Sequence, residues 1–403
     1  MKSVGIICEY NPPHTGHRYQ LDLLKSQGYE YIVCLMSGNF TQRGEIAVAD
    51  KYTRAKCALS EGADIVIELP FPFCCMSAEQ FADSGVRILS SLKVENLSFG
   101  HECKDINYLF KLADLMSSEK LKQTYEKNKK IGNADSFFEL CREHFGNEFV
   151  PKSNDILAAS YIKSIKKQGS EMQIYPIKRN GIDYCSDDLQ NGVCPSALAL
   201  RKLIYAKKSF SDLNEPLVSD KALSVLSESE RQELSPVFYD NLDRQILSFF
   251  KLMSPDEISK RAIRLSRGGD CVAEDGCGIV NRLCSCASSS NSYTEFIESA
   301  KSSRFTNSRI MRVILFSLCG VSNVMPHSLP EYTTLLAANK RGCEYLSKIR
   351  KSSEIKLITK PADAPSDSVQ YRISKNADAL YTQAMPSPKD SGFFLRQTPY
   401  ILS

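Results

Sequence analysis

The chain has 403 residues, of which 24% are charged and 42% hydrophobic, and a formal net charge of +4. That length allows two or three domains with a substantial core. No apolar run approaches the roughly 20 residues that span a bilayer, and no basic region leads an apolar stretch with a cleavage site, so the expectation is a cytoplasmic protein without membrane partners. The charge is too small to argue for nucleic acid by itself. Fifteen cysteines, an odd number without a C-x-x-C pair, read as reduced apolar side chains, so neither a disulfide framework nor a metal site is expected.

In chain order, Val4 to Ile7 predicts a short buried strand, Asn11-Pro12-Pro13 ends it, and from Gly16 onward His17, Tyr19, Leu21 and Leu24 take helical spacing. A strand feeding a helix through a tight turn aims free backbone N–H groups at the loop, where an anion can sit. Gly16 lets a phosphate approach the backbone, and His14 and His17 can each donate a hydrogen bond as charge builds on phosphorus. The chemistry this predicts is nucleotidyl transfer at an α-phosphate. The plainer reading is two histidines that fell three apart in a surface turn.

Further strands are expected at Tyr31 to Met36, Ile65 to Leu69, Asn96 to Phe99 and Met172 to Ile177. Between them, Asp50 to Glu61 reads as an amphipathic helix, with Lys51, Arg54 and Lys56 on one side and Tyr52, Ala55, Ala58 and Leu59 on the other; Ala78 to Leu92 reads likewise. The alternation predicts an α/β fold, a doubly wound parallel sheet with ligands at the C-terminal strand ends. Past Tyr205 the chain turns helical, with one small strand expected within Glu354 to Thr359. We therefore expect a nucleotide-binding domain over 1–208 and a mainly helical domain with a small α/β part over 209–403.

Gly100 and Arg179 fall at strand ends, where backbone approach and a forked phosphate donor are useful, and Asn154 can bond ribose or base or simply cap a helix. The loop Ser37 to Glu45, rich in glycine and hydrogen-bonding groups, could cover a reacting phosphate or hold a small acid, with Arg43 as its charged contact. In the second half, Lys301, Arg304, Arg309 and Arg312 surround Phe305, with Arg309 and Arg312 spaced to share a helix face. That pattern suits RNA phosphates with an aromatic that stacks or packs, and it also suits an ordinary solvated basic face.

The segments Gly5 to His17, Met36 to Glu45 and Gly62 to Phe71 carry a resemblance, extended by Ser153 to Leu157, Ile177 to Arg179, Lys301 to Arg312 and Ile358 to Ala362. In that order they resemble the bacterial tRNA(Met) cytidine acetate ligases, members of the H-x-G-H nucleotidyltransferase superfamily, over nearly the whole chain. The resemblance implies a nucleotidyltransferase-like Rossmann domain, ATP with Mg2+, acetate as the acid and elongator tRNA(Met) as acceptor. It implies ATP contacts from Ile7, Cys8, Glu9, Tyr10, Asn11, Pro12, Pro13, His14, Thr15, Gly16, His17, Arg18, Tyr19 and Gln20, and from Gly100, Asn154 and Arg179. His14 and His17 would act on the α-phosphate, Ser196 and Arg201 on the departing pyrophosphate, and Lys301, Arg304, Phe305, Arg309 and Arg312 on RNA.

The implied reaction has two steps: acetate attacks ATP to give acetyl-adenylate and pyrophosphate, then the wobble cytidine's amine takes the acetyl group and AMP leaves. The chain differs from the family pattern at Pro13, at Leu198 and across Tyr184-Cys185-Ser186-Asp187. One lost hydroxyl contact costs on the order of 1 kcal/mol, enough to weaken a phosphate grip without abolishing it. Two other functions fit parts of the chain: a small-molecule adenylyltransferase or acid–amine ligase, and a tRNA-binding protein with a decayed site.

Overall fold

Runs of apolar residues with no polar alternation become the central strands, because a parallel sheet covered on both faces buries every side chain along them. A computed structural model describes residues 2–127, 133–146, 150–179, 196–261, 278–302, 305–321 and 329–402. The first five strands are β1 (Ser3–Cys8), β2 (Tyr31–Ser37), β3 (Ile65–Leu69), β4 (Asn96–His101) and β5 (Gln173–Lys178). All seven residues of β2 and all five of β3 are buried. Each expected strand is present; Ile65–Leu69 has the expected ends and the others differ by one or two residues.

Helices α1 (Thr15–Ser26), α2 (Lys51–Ser60), α3 (Ala78–Ser91), α4 (Asn107–Ser117), α5 (Glu119–Lys127), α6 (Asn133–Phe145) and α7 (Ser153–Gln168) fall between these strands. After β5 come α8 (Ala197–Lys207), α9 (Asp220–Arg231), α10 (Asp243–Leu252), α11 (Pro255–Arg261), α12 (Gly278–Ser289), α13 (Tyr293–Ala300) and α14 (Asn307–Cys319). The chain closes with β6 (Tyr332–Asn339), α15 (Lys340–Ile349), β7 (Lys356–Ile358), α16 (Val369–Ala384) and β8 (Tyr400–Leu402).

The sheet order is β5-β4-β1-β2-β3-β6-β7, with β8 paired to β6. Strands β1 to β5 run parallel, in register Gly5 opposite Val33 and Leu97, while β6 joins β3 antiparallel. The order reverses direction between β1 and β4, and it is there that neighbouring loops leave toward opposite sides and open a crevice. The doubly wound arrangement expected from the sequence is therefore present, widened by β6, β7 and β8 from the second half.

β6 departs from the sequence expectation, which placed one small strand, at 354–359, in the second half. Its run Tyr-Thr-Thr-Leu-Leu-Ala-Ala is buried at all seven positions, and a short run buried on both faces has no period to separate strand from helix. Asp64 pins this return: one carboxylate oxygen accepts from the Ile32 N–H at 2.9 Å and the other from Asn339 at 2.8 Å and Arg341 at 2.8 Å. Apolar residues from the strands, from α10 to α14 and from α16 form one contiguous core. A smaller cluster joins Val48, Ala49 and Cys57 to Leu200, Ile204, Phe210 and Leu226.

Helix α2 is buried on both of its expected sides. Lys51 and Arg54, read as its solvated side, are 2% and 0% exposed, and only Lys56 of that group is exposed. Arg54 donates to the carbonyls of Glu9, Ser37, Gly38 and Ala49, so one guanidinium ties the ends of β1 and β2 together. Lys51 meets Glu68 at 2.9 Å and Asp378 at 2.8 Å, and Asn39 donates to Asp378 at 2.9 Å. The polar side of α2 is thus a buried clamp between β3, the 37–45 loop and α16. The eleven cysteines among the described residues are all free.

Candidate active site

The loop between β1 and α1 carries the two histidines, and its geometry is over-determined. Tyr10 adopts φ +46°, a region that bulky residues rarely occupy, with its ring buried and 4.6 Å from that of His17. The Arg54 guanidinium holds the Glu9 carbonyl at 2.6 Å, and Arg201 donates to the Asn11 carbonyl at 2.9 Å. The Asn11 side chain accepts from the Val48 N–H at 2.9 Å, and the Thr15 N–H donates to the Leu217 carbonyl at 3.1 Å. The turn is therefore fixed by groups from four separate segments.

His14 is the N-cap of α1. Its Nδ1 accepts from the Gly16 N–H at 3.1 Å, while the Nδ1 of His17 accepts from the His14 N–H at 3.2 Å. This reciprocal cap satisfies two N–H groups of the helix start. It also sets the tautomers: with Nδ1 accepting in both rings, each neutral imidazole carries its proton on Nε2. The rings stack with centroids 3.7 Å apart and planes at 26°. Two Nε2–H donors are thereby presented side by side at a helix N-terminus, whose dipole adds to their attraction for an anion.

Electrostatics keep both rings neutral. Burial, reinforced by Arg179 and Arg201, lowers the His14 pKa to about 3. Burial, His14 and Arg179 push that of His17 well below its ordinary value. The arginine charges that add to burial in keeping these rings unprotonated are ones that an incoming polyanion would offset.

The second wall lies across the β1/β4 crevice. Gly100, next to last in β4, lies opposite Ile177, and a Cβ there would sit 3.1 Å from the Cγ and 3.2 Å from the Cδ of Arg179, so that side chain runs directly over the glycine. The Arg179 N–H is held by the His101 carbonyl at 2.9 Å. Asn154 lies in the first turn of α7 and donates to Glu102 at 2.5 Å; the residue before the helix is Lys152, which supplies no side-chain cap. Gln20 reaches across from α1 to the Ser98 hydroxyl at 3.1 Å.

Ser196 caps α8, its hydroxyl accepting from the Ala199 N–H at 3.1 Å. One turn later Arg201 pairs with Glu45 at 2.8 Å as well as holding Asn11. The 37–45 loop is thus bound to the histidine turn, as its Gln42 N–H also donates to Glu9 at 2.9 Å. Burial raises the Glu9 carboxyl above its usual range, and the nearby Glu45 adds to this.

Other sequence-derived positions lie elsewhere. Arg18 and Tyr19 are exposed on α1, Arg18 facing Asp22 and Glu61 at 3.6 and 3.7 Å. In the basic segment Lys301 is exposed, Arg309 is half-buried with its guanidinium 5.3 Å from the Phe305 ring centroid, and Phe305 is buried. Arg312 is also buried and donates to the Gln42 carbonyl at 3.2 Å. Arg309 and Arg312 thus differ in exposure, and the aromatic packs inward. Arg304 and the stretch with Cys185 lie outside the described residues.

Arg54 and Glu45 were not assigned roles by sequence reasoning; the cue available was Arg54 three residues after Lys51 on a helix otherwise rich in apolar residues. Among the described residues, one group, His101, Cys103 and Asp155, brings potential metal-ligand atoms within 4.8 Å of one another. No helix there is long and apolar enough to cross a membrane.

The model of the HIGH Nucleotidyl Transferase family matches residues 1–393. The tRNA(Met) cytidine acetate ligase of Acetivibrio thermocellus is 33% identical over 381 residues, covering 90% of this chain and 89% of that protein. The protein of the same name from Caldanaerobacter subterraneus subsp. tengcongensis is 34% identical, covering 95% and 96%. The fold matches crystal structures of Thermotoga maritima TmcAL over the full length of both chains, the apo form with TM-score 0.87 at 29% identity and the form bound with alpha-thio ATP with TM-score 0.85 at 28%. The chain belongs to the HIGH nucleotidyl transferase family, with the tRNA(Met) cytidine acetate ligases.

Proposed function

We propose that this member of the family activates acetate with ATP and transfers the acetyl group to the wobble cytidine of elongator tRNA(Met), giving N4-acetylcytidine, AMP and pyrophosphate in the cytoplasm. The observation that carries the reading is the stacked, reciprocally capped pair His14 and His17, with both Nε2–H donors held at the start of α1 between Arg179 and Arg201. Donors already fixed where charge develops lower the barrier without reorganising, and one such donor is worth about 10²–10³ in rate.

The residues divide the first step between them. The turn Ile7–Gln20 receives the triphosphate, with the Nε2–H groups of His14 and His17 as its donors. Gly100 and Arg179 form the opposite wall, with Asn154 beside it for ribose or base. Arg201 and Ser196 face the departing pyrophosphate, the arginine by its fork and the serine from the N-cap of α8. Acetate oxygen attacks phosphorus in line, and no covalent enzyme intermediate is involved. A Mg2+ ion carried on the triphosphate would find in this turn the carboxylate of Glu9, which also accepts from the Gln42 N–H at 2.9 Å, one carboxylate being a usual protein share for that ion. When bound it would supply charge neutralisation on the phosphates.

The test is incubation with labelled acetate, Mg-ATP and unmodified elongator tRNA(Met), each omitted in turn, followed by analysis of the wobble nucleoside. Label only in the complete mixture supports the assignment. ATP consumption with label in a small molecule instead would favour an acid–amine ligase.

A further inference from the structure

The 37–45 loop and the basic segment, two motifs far apart in sequence, form two walls of one groove. It has a volume of about 260 Å³ and is lined by Arg43, Glu45, Thr306, Asn307, Ser308 and Met311. The contact between the walls is intimate: a Cβ at Gly44, whose φ is +75°, would lie 2.8 Å from the Arg312 nitrogen. Arg312 in turn holds the Gln42 carbonyl at 3.2 Å, and the Tyr239 hydroxyl holds the Gly44 carbonyl at 2.5 Å. A loop pinned at Gln42 and Gly44 presents Arg43 and Glu45 in fixed positions.

Resting on the proposed function, we infer that this groove receives the acceptor cytosine, with Glu45 accepting a hydrogen bond from its exocyclic amine. Position supports this. Glu45 is 2.8 Å from Arg201, which holds the Asn11 carbonyl at 2.9 Å and whose charge is felt at His14. The groove therefore ends one guanidinium away from the turn where the acyl-adenylate forms. The Glu45 side chain keeps 26% of its surface exposed, so it is anchored and still reachable.

Chemistry selects a base over a phosphate. A carboxylate repels the RNA backbone, whereas glutamate is a natural acceptor for the cytosine N4 amine. Arg43 and Asn307 add donors that match the two acceptors, N3 and O2, on the rest of that edge. Uracil would turn its O4 oxygen toward Glu45, and that mismatch rejects it. The volume lies below the roughly 300–1,000 Å³ of sites for drug-sized ligands and suits a single base splayed from a loop, the usual target of sequence-specific RNA recognition.

In the transfer step the N4 lone pair attacks the acetyl carbonyl and the C–N bond forms. The C–O bond to the adenylate breaks and AMP leaves with that electron pair. The proton lost from N4 passes to the Glu45 carboxylate and on to solvent. Proton acceptance of this kind contributes about 10²–10⁴-fold.

The experiment measures the two half-reactions separately: acetate-dependent exchange of pyrophosphate into ATP without tRNA, and single-turnover acetyl transfer to tRNA. For Glu45→Gln we expect transfer to fall about 100-fold, at least tenfold more than exchange falls. Preference in binding for tRNA carrying C over U at the wobble position falls at least tenfold in the same variant. Asn307→Ala, on the exposed wall, raises the KM for tRNA and leaves that for ATP. Equal losses of exchange and transfer in Glu45→Gln, or transfer at the wild-type rate, would overturn the inference and leave the proposed function standing. Wild-type protein that performs neither half-reaction overturns both.

Discussion

The backbone N–H of His14 donates to the Nδ1 of His17 at 3.2 Å, so the residue that caps the helix also dictates which nitrogen of its neighbour is left to donate. The same side chains hold the helix start and form the anion site. His17→Asn separates the two jobs, because its amide can accept the His14 N–H but does not reach the Nε2 position. We expect unfolding free energy to change by less than about 1 kcal/mol, and acetate-dependent pyrophosphate exchange to fall about 10²–10³-fold. Exchange at the wild-type rate would remove His17 from the reaction.

Acid should destabilise this fold through His14. Its folded pKa is lowered to about 3, against an ordinary 6.5. Between those values the unfolded chain binds a proton that the folded chain refuses, so stability is complete above about pH 6.5 and declines as pH falls toward 3. The slope approaches about 1.4 kcal/mol per pH unit for this group. Urea titrations from pH 7.5 to 5 should show a decline that is shallower in His14→Asn; parallel curves for the two proteins would contradict this. Bound ATP, by adding negative charge, should reduce the dependence in the native protein.

Arg201 joins the histidine turn to the 37–45 loop, with a side chain 12% exposed. Arg201→Ala removes two charge-assisted contacts and should raise the KM for ATP in the exchange assay about 10- to 100-fold, the equivalent of 1.5–3 kcal/mol. Arg201→Lys keeps the charge but cannot hold both partners with one fork, so it should recover only part of the loss. Full recovery by lysine would mean that charge alone is used.

Lys51 lies between Glu68 and Asp378, with side chains 3%, 8% and 12% exposed. Lys51→Met leaves two carboxylates buried together, and we expect a loss of about 3–5 kcal/mol in urea unfolding. The triple variant Lys51→Met, Glu68→Gln, Asp378→Asn should be more stable than Lys51→Met alone, since it removes the uncompensated charge. A triple variant no more stable than Lys51→Met would show that uncompensated carboxylate charge is not the source of the loss.

The parallel half of the fold was legible because its signals are local. Val4 to Ile7 and Ile65 to Leu69 are apolar runs bounded by turns, and the paired prolines and Gly16 mark where strand gives way to helix. β6 was not, because burial on both faces erases the period that separates strand from helix. Helix α2 misled for a related reason. A lysine and an arginine three apart ordinarily face water, and nothing nearby in sequence announces Glu68, Asp378 or the carbonyls that receive them.

By itself the sequence determined the chemistry offered at the turn after β1: two imidazoles at a helix start, with Gly16 between them, where the first backbone N–H groups need partners from outside the helix ladder. Only the tertiary structure decided their state. The Nε2–H tautomers follow from hydrogen bonds of the folded cap, and the lowered pKa values follow from burial beside Arg179 and Arg201, which lie 165 and 187 residues from His14. Composition fixes which groups a chain owns. Which charges face one another, and how much water remains between them, depends on long-range packing, and in a low-dielectric interior those two quantities control protonation.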